Sequence, residues 1–208
     1  MIKTAILVSG NGTNLQAIID AHAAGIIRNC ELSAVISSNP KAFALKRALA
    51  ADIPEFVIDP QDYTNNANQY FSALLSKLYA FDTDLIVCAG FNYILAPSIT
   101  NSFPDRIINI HPSLIPAFCG PGMYGLRVHK AVLDYGAKIT GATVHFVTNE
   151  VDAGPIILQK AVSVHSKDTP ETLQKRVMKE TEWKILPKAI SLFCEGRIQV
   201  KGRSVLIR

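Results

Sequence analysis

The chain lacks the raw material for several common kinds of protein. Its 208 residues hold only four cysteines, Cys30, Cys88, Cys119 and Cys194, set far apart. Thiols scattered in this way have no metal-ligand spacing and form no disulfide framework, which fits a reducing cytoplasm. No His/Cys/Asp set has the spacing of a zinc site, so no metal is expected. No apolar run approaches the ~20 residues of a membrane-spanning helix, so no membrane is expected either. Charged residues are only 18% of the chain, and the net charge of +4 contains no Lys/Arg block. That argues against nucleic acid as a partner and mildly favours small anions. Repeats and low-complexity segments are missing, so solenoid and disordered architectures drop out. The opening apolar stretch stops at Ser9-Gly10 without a cleavage pattern, and reads as a buried first strand rather than a signal peptide.

What is present is apolar material, 49% of the residues, enough for a substantial core. It is arranged in alternation. Strand-like runs at residues 4–9, 32–37, 55–58, 85–89 and 107–110 alternate, over most of this stretch, with helical patterns at 14–24, 42–51 and 67–78. This order predicts an α/β fold: a mostly parallel, Rossmann-like sheet with helices on both faces. Later in the chain the pattern changes. Residues 112–126 are dense in proline and glycine and read as a long functional loop, followed by a helix at 128–133. Strands at 141–147 and 156–164 are expected to pair antiparallel. Thr169, with Pro170 and Thr172 after it, is a good helix start. That helix is expected to run towards Pro187, with a further helix ending near Gly196. Residues 198–200 and 205–207, joined by Lys201-Gly202-Arg203, read as a hairpin. No linker is visible, so one domain is expected over residues 1–208.

Two stretches carry chemistry. Ser9-Gly10-Asn11-Gly12-Thr13-Asn14 joins the first strand to the first helix. In an open α/β sheet that is where phosphates bind, because glycines admit the ligand and the helix N-terminus offers free N–H groups. The dinucleotide fingerprint fails, since Leu15 stands where its third glycine belongs, and the P-loop lysine is missing. A single sugar phosphate fits better. The other stretch is Ile107-Ile108-Asn109-Ile110-His111-Pro112. Asn109 and His111 at i and i+2 share one face of a strand that Pro112 ends. Asn109 is a neutral donor suited to a developing oxyanion. Asp152, in Val151-Asp152-Ala153-Gly154-Pro155, is a carboxylate able to favour a protonated imidazole. Together they suggest acyl transfer by direct attack of the substrate's own nucleophile.

These segments, with Ala89-Gly90-Phe91 and Val144-His145-Phe146-Val147, occur in an order and spacing that resembles the folate-dependent phosphoribosylglycinamide formyltransferase family. The resemblance covers essentially the whole chain. It implies formyl transfer from 10-formyltetrahydrofolate, as co-substrate, to the amine of 5-phosphoribosylglycinamide in purine (IMP) biosynthesis, by a cytoplasmic monomer or homodimer. It implies that Asn109 binds the formyl oxygen, that His111 is the general acid and that Asp152 orients it. It places the nucleotide at Gly12, Thr13, Asn14 and Glu182, the register of the late helix leaving Glu182 within one residue of the family position. It places the folate against Asn92, Tyr93, Ile94, Leu95 and Asn109, and under the loop Thr148, Asn149, Glu150, Val151 and Asp152. Residues 1–100 would then form the nucleotide half and 101–208 the folate-binding and catalytic half.

There are departures. Asn92-Tyr93 stands where the family often has Met-Arg. Ala153 replaces a usual glycine, and Asp62-Tyr63-Thr64-Asn65-Asn66 lacks a frequent arginine. The rivals are a formyltetrahydrofolate hydrolase, a methionyl-tRNA formyltransferase-like enzyme and a non-catalytic nucleotide-binding module. The glycine loop speaks against the first two and the Asn109, His111 and Asp152 set against the third. Cys119 has no neighbouring base and is not expected to be a nucleophile. His145 is either a site residue or a satisfied strand histidine. His22, His129 and His165 are expected on solvated surfaces, and Trp183 in the core.

Overall fold

The alternation resolves into one seven-stranded sheet between helical layers. The computed structural model describes residues 1–63 and 66–208, so Thr64 and Asn65 of the arginine-free segment lie outside the described residues. The first half runs β1 (Ile2–Val8), α1 (Thr13–Ala23), β2 (Cys30–Ser37), α2 (Phe43–Ala50), β3 (Glu55–Val57), α3 (Ala67–Ala80), β4 (Leu85–Cys88) and α4 (Pro97–Thr100). The second half adds β5 (Ile107–His111), α5 (Leu126–Tyr135), β6 (Ile139–Phe146), β7 (Ile156–Ser163), α6 (Pro170–Val177) and α7 (Trp183–Cys194). A separate hairpin, β8 (Ile198–Lys201) and β9 (Ser204–Ile207), comes last. The single turn α4 is too short to print a 3.6-residue period, and the sequence pattern does not reveal it.

The strand order is β3-β2-β1-β4-β5-β6-β7. Pairings from β3 to β5 are parallel, and β6 and β7 are antiparallel as expected. Two-residue alternation divides each central strand between two core layers. Ile6 and Val8 join the layer under α1, α2, α6 and α7, while Ala5 and Leu7 join the layer under α3 and α4. Burial on both faces is why these strands read as continuous apolar runs. Each fully buried Ile or Leu contributes about 1.5–3 kcal/mol.

The chain leaves β1 towards β2 and returns on the other side as β4. Ligands bind open α/β sheets in the crevice at such a reversal, beyond the carboxyl ends of the strands. Here the two loops at the crevice are tied together. Ser9 N–H donates to the Gly90 carbonyl at 3.0 Å, and Asn92 N–H donates to Ser9 Oγ at 2.9 Å.

The late helices differ from expectation. α6 starts as predicted, with a reciprocal cap between Thr169 and Thr172 and Pro170 in the first turn. The helix does not end at Pro187, which sits inside α7. The irregularity lies upstream, in a π-helical turn at Met178–Glu182 between α6 and α7. A π-turn holds one residue more than an α-turn, so it rotates the faces of the helix beyond it. Glu182 is thereby buried, and Trp183, expected in the core, is 38% exposed.

Candidate active site

At the carboxyl ends of β1, β4 and β5 the chain encloses a cavity of about 510 Å³. One end is the glycine loop. Gly12 has φ 71°, and a Cβ there would stand 2.6 Å from the Ala44 Cβ, so glycine is required on both counts. No side chain caps α1, which leaves its first N–H groups free for an anion. Arg47 braces the loop from behind, its Nε donating to the Asn11 carbonyl at 2.9 Å. Asn14 faces Glu182: Nδ2 donates to Oε2 at 2.7 Å, joining α1 to the π-turn. Burial pushes the Glu182 carboxyl up to about 7, against the smaller opposite pull of the Asn14 hydrogen bond.

The centre holds Asn109, His111 and Asp152, which lie together as expected. The β5 register puts Asn109 directly opposite His145 on β6, and the two side chains touch. His145 Nδ1 lies 2.9 Å from the Phe146 carbonyl. A carbonyl only accepts, so Nδ1 carries the proton. Burial lowers the His145 pKa, so the ring is neutral and Nε2 accepts from Asn109 Nδ2 at 3.1 Å. The contact fixes the amide's orientation and leaves its second N–H available. The same reasoning applies to His111. Its Nε2 donates to the Phe118 carbonyl at 3.0 Å, so Nδ1 is the nitrogen free to exchange a proton. That nitrogen lies 3.6 Å from Asp152 Oδ2. Asp152 Oδ1 lies 3.6 Å from His145 Nε2, and Oδ2 accepts the Gly120 N–H at 2.9 Å. The carboxylate thus sits between two imidazoles under the 112–126 loop.

The turn that presents Asp152 explains why alanine is tolerated at 153. The left-handed residue is Asp152 itself, φ 53°, not Ala153. The demanding glycine is Gly154, where a Cβ would lie 1.9 Å from the Phe146 carbonyl oxygen. Gly154→Ala is expected to destabilise the chain by about 2–4 kcal/mol, against less than ~1 kcal/mol for Ala153→Gly. Denaturant midpoints of the two variants measure this.

The remaining residues fall on both sides of expectation. Asn92, Tyr93, Ile94, Leu95, Thr148, Glu150 and Val151 line the cavity, with Phe91 and Val147. Asn149 does not line it. Its amide bonds to Thr100 and Asn101, anchoring the loop beside α4. His145, left open by the sequence, belongs to the site. Its position opposite Asn109 is a long-range register, and nothing nearby in the chain signals it. His129, expected on a surface, is fully buried on α5 and lines the cavity, its ring nitrogens without protein partners. Burial, with a smaller contribution from His111, lowers its pKa to about 4. Burial and Asp152 push the Cys119 thiol up, away from nucleophilic character. Among the described residues no group of three or more His, Cys, Asp or Glu is placed to hold a metal ion. None of their helices is long and apolar enough to cross a membrane.

Comparison with known proteins gives the family and the fold. The formyl transferase family model matches residues 2–190. Phosphoribosylglycinamide formyltransferase of Haemophilus influenzae is 40% identical over 97% of this chain and 91% of its own length. Trifunctional purine biosynthetic protein adenosine-3 of Gallus gallus is 42% identical over 96% of this chain, which spans only 19% of that protein. The crystal structure of glycinamide ribonucleotide transformylase 1 from Symbiobacterium toebii superposes with a TM-score of 0.93 at 43% identity, covering 100% of this chain and 94% of that one. A formyltetrahydrofolate deformylase from Pseudomonas syringae has a TM-score of 0.87 at 25% identity, covering 99% of this chain and 65% of its own. The chain belongs to the formyl transferase family and, within it, to the phosphoribosylglycinamide formyltransferases.

Proposed function

We propose that the chain transfers the formyl group of 10-formyltetrahydrofolate to the amine of 5-phosphoribosylglycinamide, a step of purine biosynthesis, in the cytoplasm. The observation that carries this reading is one cavity with an uncapped helix N-terminus at one end and Asn109, His111 and Asp152 at its centre. The nucleotide phosphate binds at Gly12, Thr13 and Asn14, with Glu182 contacting the same substrate. The folate occupies the end lined by Asn92 to Leu95 and covered by Thr148, Glu150 and Val151.

The roles derive from the hydrogen bonds. The amine attacks the formyl carbon, and negative charge develops on the formyl oxygen. The free N–H of Asn109, aimed by His145, donates to that oxygen. The amine must lose a proton and the folate nitrogen must gain one as the carbon–nitrogen bond breaks. His111 moves it at Nδ1, because Nε2 is committed to Phe118. Asp152 steadies the imidazolium while it exists. Holding both substrates in one cavity supplies a further large part of the rate.

A coupled assay of folate product separates this from hydrolysis, the reading favoured by the deformylase likeness. Product is expected only with 5-phosphoribosylglycinamide present. Equal rates with and without it would replace the amine by water as the acceptor.

A further inference from the structure

Every carbonyl of the glycine loop from Ser9 to Gly12 is taken by a protein donor. Asn39 Nδ2 donates to Ser9 at 3.3 Å, and the Ala44 N–H, in the first turn of α2, to Gly10 at 3.2 Å. Arg47 Nε donates to Asn11 at 2.9 Å, and the Gln16 N–H to Gly12 at 2.9 Å. In a trans peptide the N–H points away from the carbonyl of the same plane. Fixing these carbonyls therefore turns the N–H groups of Gly10, Asn11, Gly12 and Thr13 away from those donors. Among the described residues, none of these N–H groups has a backbone acceptor, and the same residues line the cavity. Successive free N–H groups of this kind form an anion cradle.

We infer that Arg47 is a positioning residue for the nucleotide phosphate: it holds the Asn11–Gly12 peptide so that the Gly12 N–H faces the ligand. This rests on the phosphate site proposed above. Arg47 does not line the cavity, so it acts through the peptide and not by touching the phosphate. The guanidinium is itself fixed. Nη1 donates to Gln16 Oε1 on α1 at 2.9 Å, and Cζ lies 4.9 Å from the centre of the Phe43 ring. A Cβ on Gly12 would stand 3.4 Å from Arg47 Cδ, so the stem packs against the loop at its left-handed residue. One planar fork thus ties α2 to the loop and to α1, a geometry that a lysine ammonium cannot copy. Its charge strengthens the bond to the Asn11 carbonyl. It also polarises that peptide, which makes the Gly12 N–H a better donor to an anion.

The test compares 5-phosphoribosylglycinamide with its dephosphorylated riboside as formyl acceptors, in the unaltered chain, Arg47→Met and Arg47→Lys. Methionine keeps an apolar stem beside Phe43 and removes both hydrogen bonds. The kcat/KM for the phosphorylated acceptor should fall roughly tenfold in Arg47→Met, the scale of one charge-assisted hydrogen bond. That for the riboside should change by less than about twofold, so the preference for phosphate shrinks by nearly the same factor. Arg47→Lys retains the charge and one point donor, and its preference should lie between the other two. An equal loss on both acceptors in Arg47→Met would make Arg47 merely structural and overturn the inference. So would an unchanged preference in both variants, and the lysine variant decides the matter if the methionine variant folds poorly. An unaltered chain that shows no preference for the phosphorylated acceptor would overturn the phosphate site itself, and the role of Arg47 with it.

Discussion

Alanine at position 111 lowers turnover by roughly 10²–10⁴-fold, the usual contribution of a positioned acid–base group, while nucleotide affinity stays close to that of the unaltered chain. The separation is expected because His111 stands on β5, while the proposed phosphate site is built from α1 and the π-turn. Asp152→Asn is the cleaner companion. The asparagine carbonyl can still accept the Gly120 N–H, so the loop keeps its anchor while the charge facing His111 is lost. Turnover should fall over a similar range. Combining the two should cost much less than the product of the single effects, because the residues act on one proton. Single-turnover rates and calorimetric nucleotide binding measure both quantities. Near-normal rates in either single variant would remove His111 and Asp152 from the chemistry.

Glu182→Gln should make the protein more stable and a poorer binder. The carboxyl is buried, with its pKa raised from 4.5 to about 7. Between those values the native state holds a proton that the unfolded chain has released. Protonation therefore supports folding fully below about 4.5, and that support is lost as pH rises through about 7. The loss above neutrality is on the order of 3 kcal/mol. Glutamine never charges, keeps an oxygen for the Asn14 donor and removes this slope. Its stability at pH 8 should exceed that of the unaltered chain by up to that amount.

His129 contributes the opposite sign. Its lowered pKa supports the fold above 6.5 and withdraws that support as pH falls through about 4. The Glu182 effect is therefore read from the difference between variant and parent across pH, not from either curve alone. Loss of a charged acceptor should weaken nucleotide binding by roughly tenfold to a hundredfold. Matched pH–stability curves for variant and parent would refute the buried-carboxylate account.

The cost at Glu182 belongs with the π-turn that produces it. A regular helix from Thr169 onward would have presented a different face, and the apolar pattern around Met178 does not announce one extra residue in a turn. Pro187 is the visible irregularity in the sequence, and α7 accommodates it. The same limit applies at the loop after β6. The Asp-Ala-Gly-Pro segment reads as a turn, but which residue takes the left-handed conformation depends on how closely Gly154 must approach Phe146. Asn149 reads like its neighbours in the chain, yet it turns to Thr100 and Asn101 at the end of a helix too short to be legible.

Near-neighbour chemistry wrote the parts of this molecule that could be read in order along the chain. Two-residue alternation in a buried strand put Asn109 and His111 on one face. Glycines before a helix without a capping side chain left the first N–H groups of α1 open, and Thr169 with Pro170 opened α6. These depend on residues a few positions apart, whose geometry is set by backbone sterics and local hydrogen bonds. The pairing of Asn109 with His145, the carboxylate between two imidazoles, the carbonyl of Phe118 that selects Nδ1 of His111, and the inward turn of Glu182 depend on register, loop path and helix packing. Those are settled by burial summed over the whole core, which no short stretch of sequence contains.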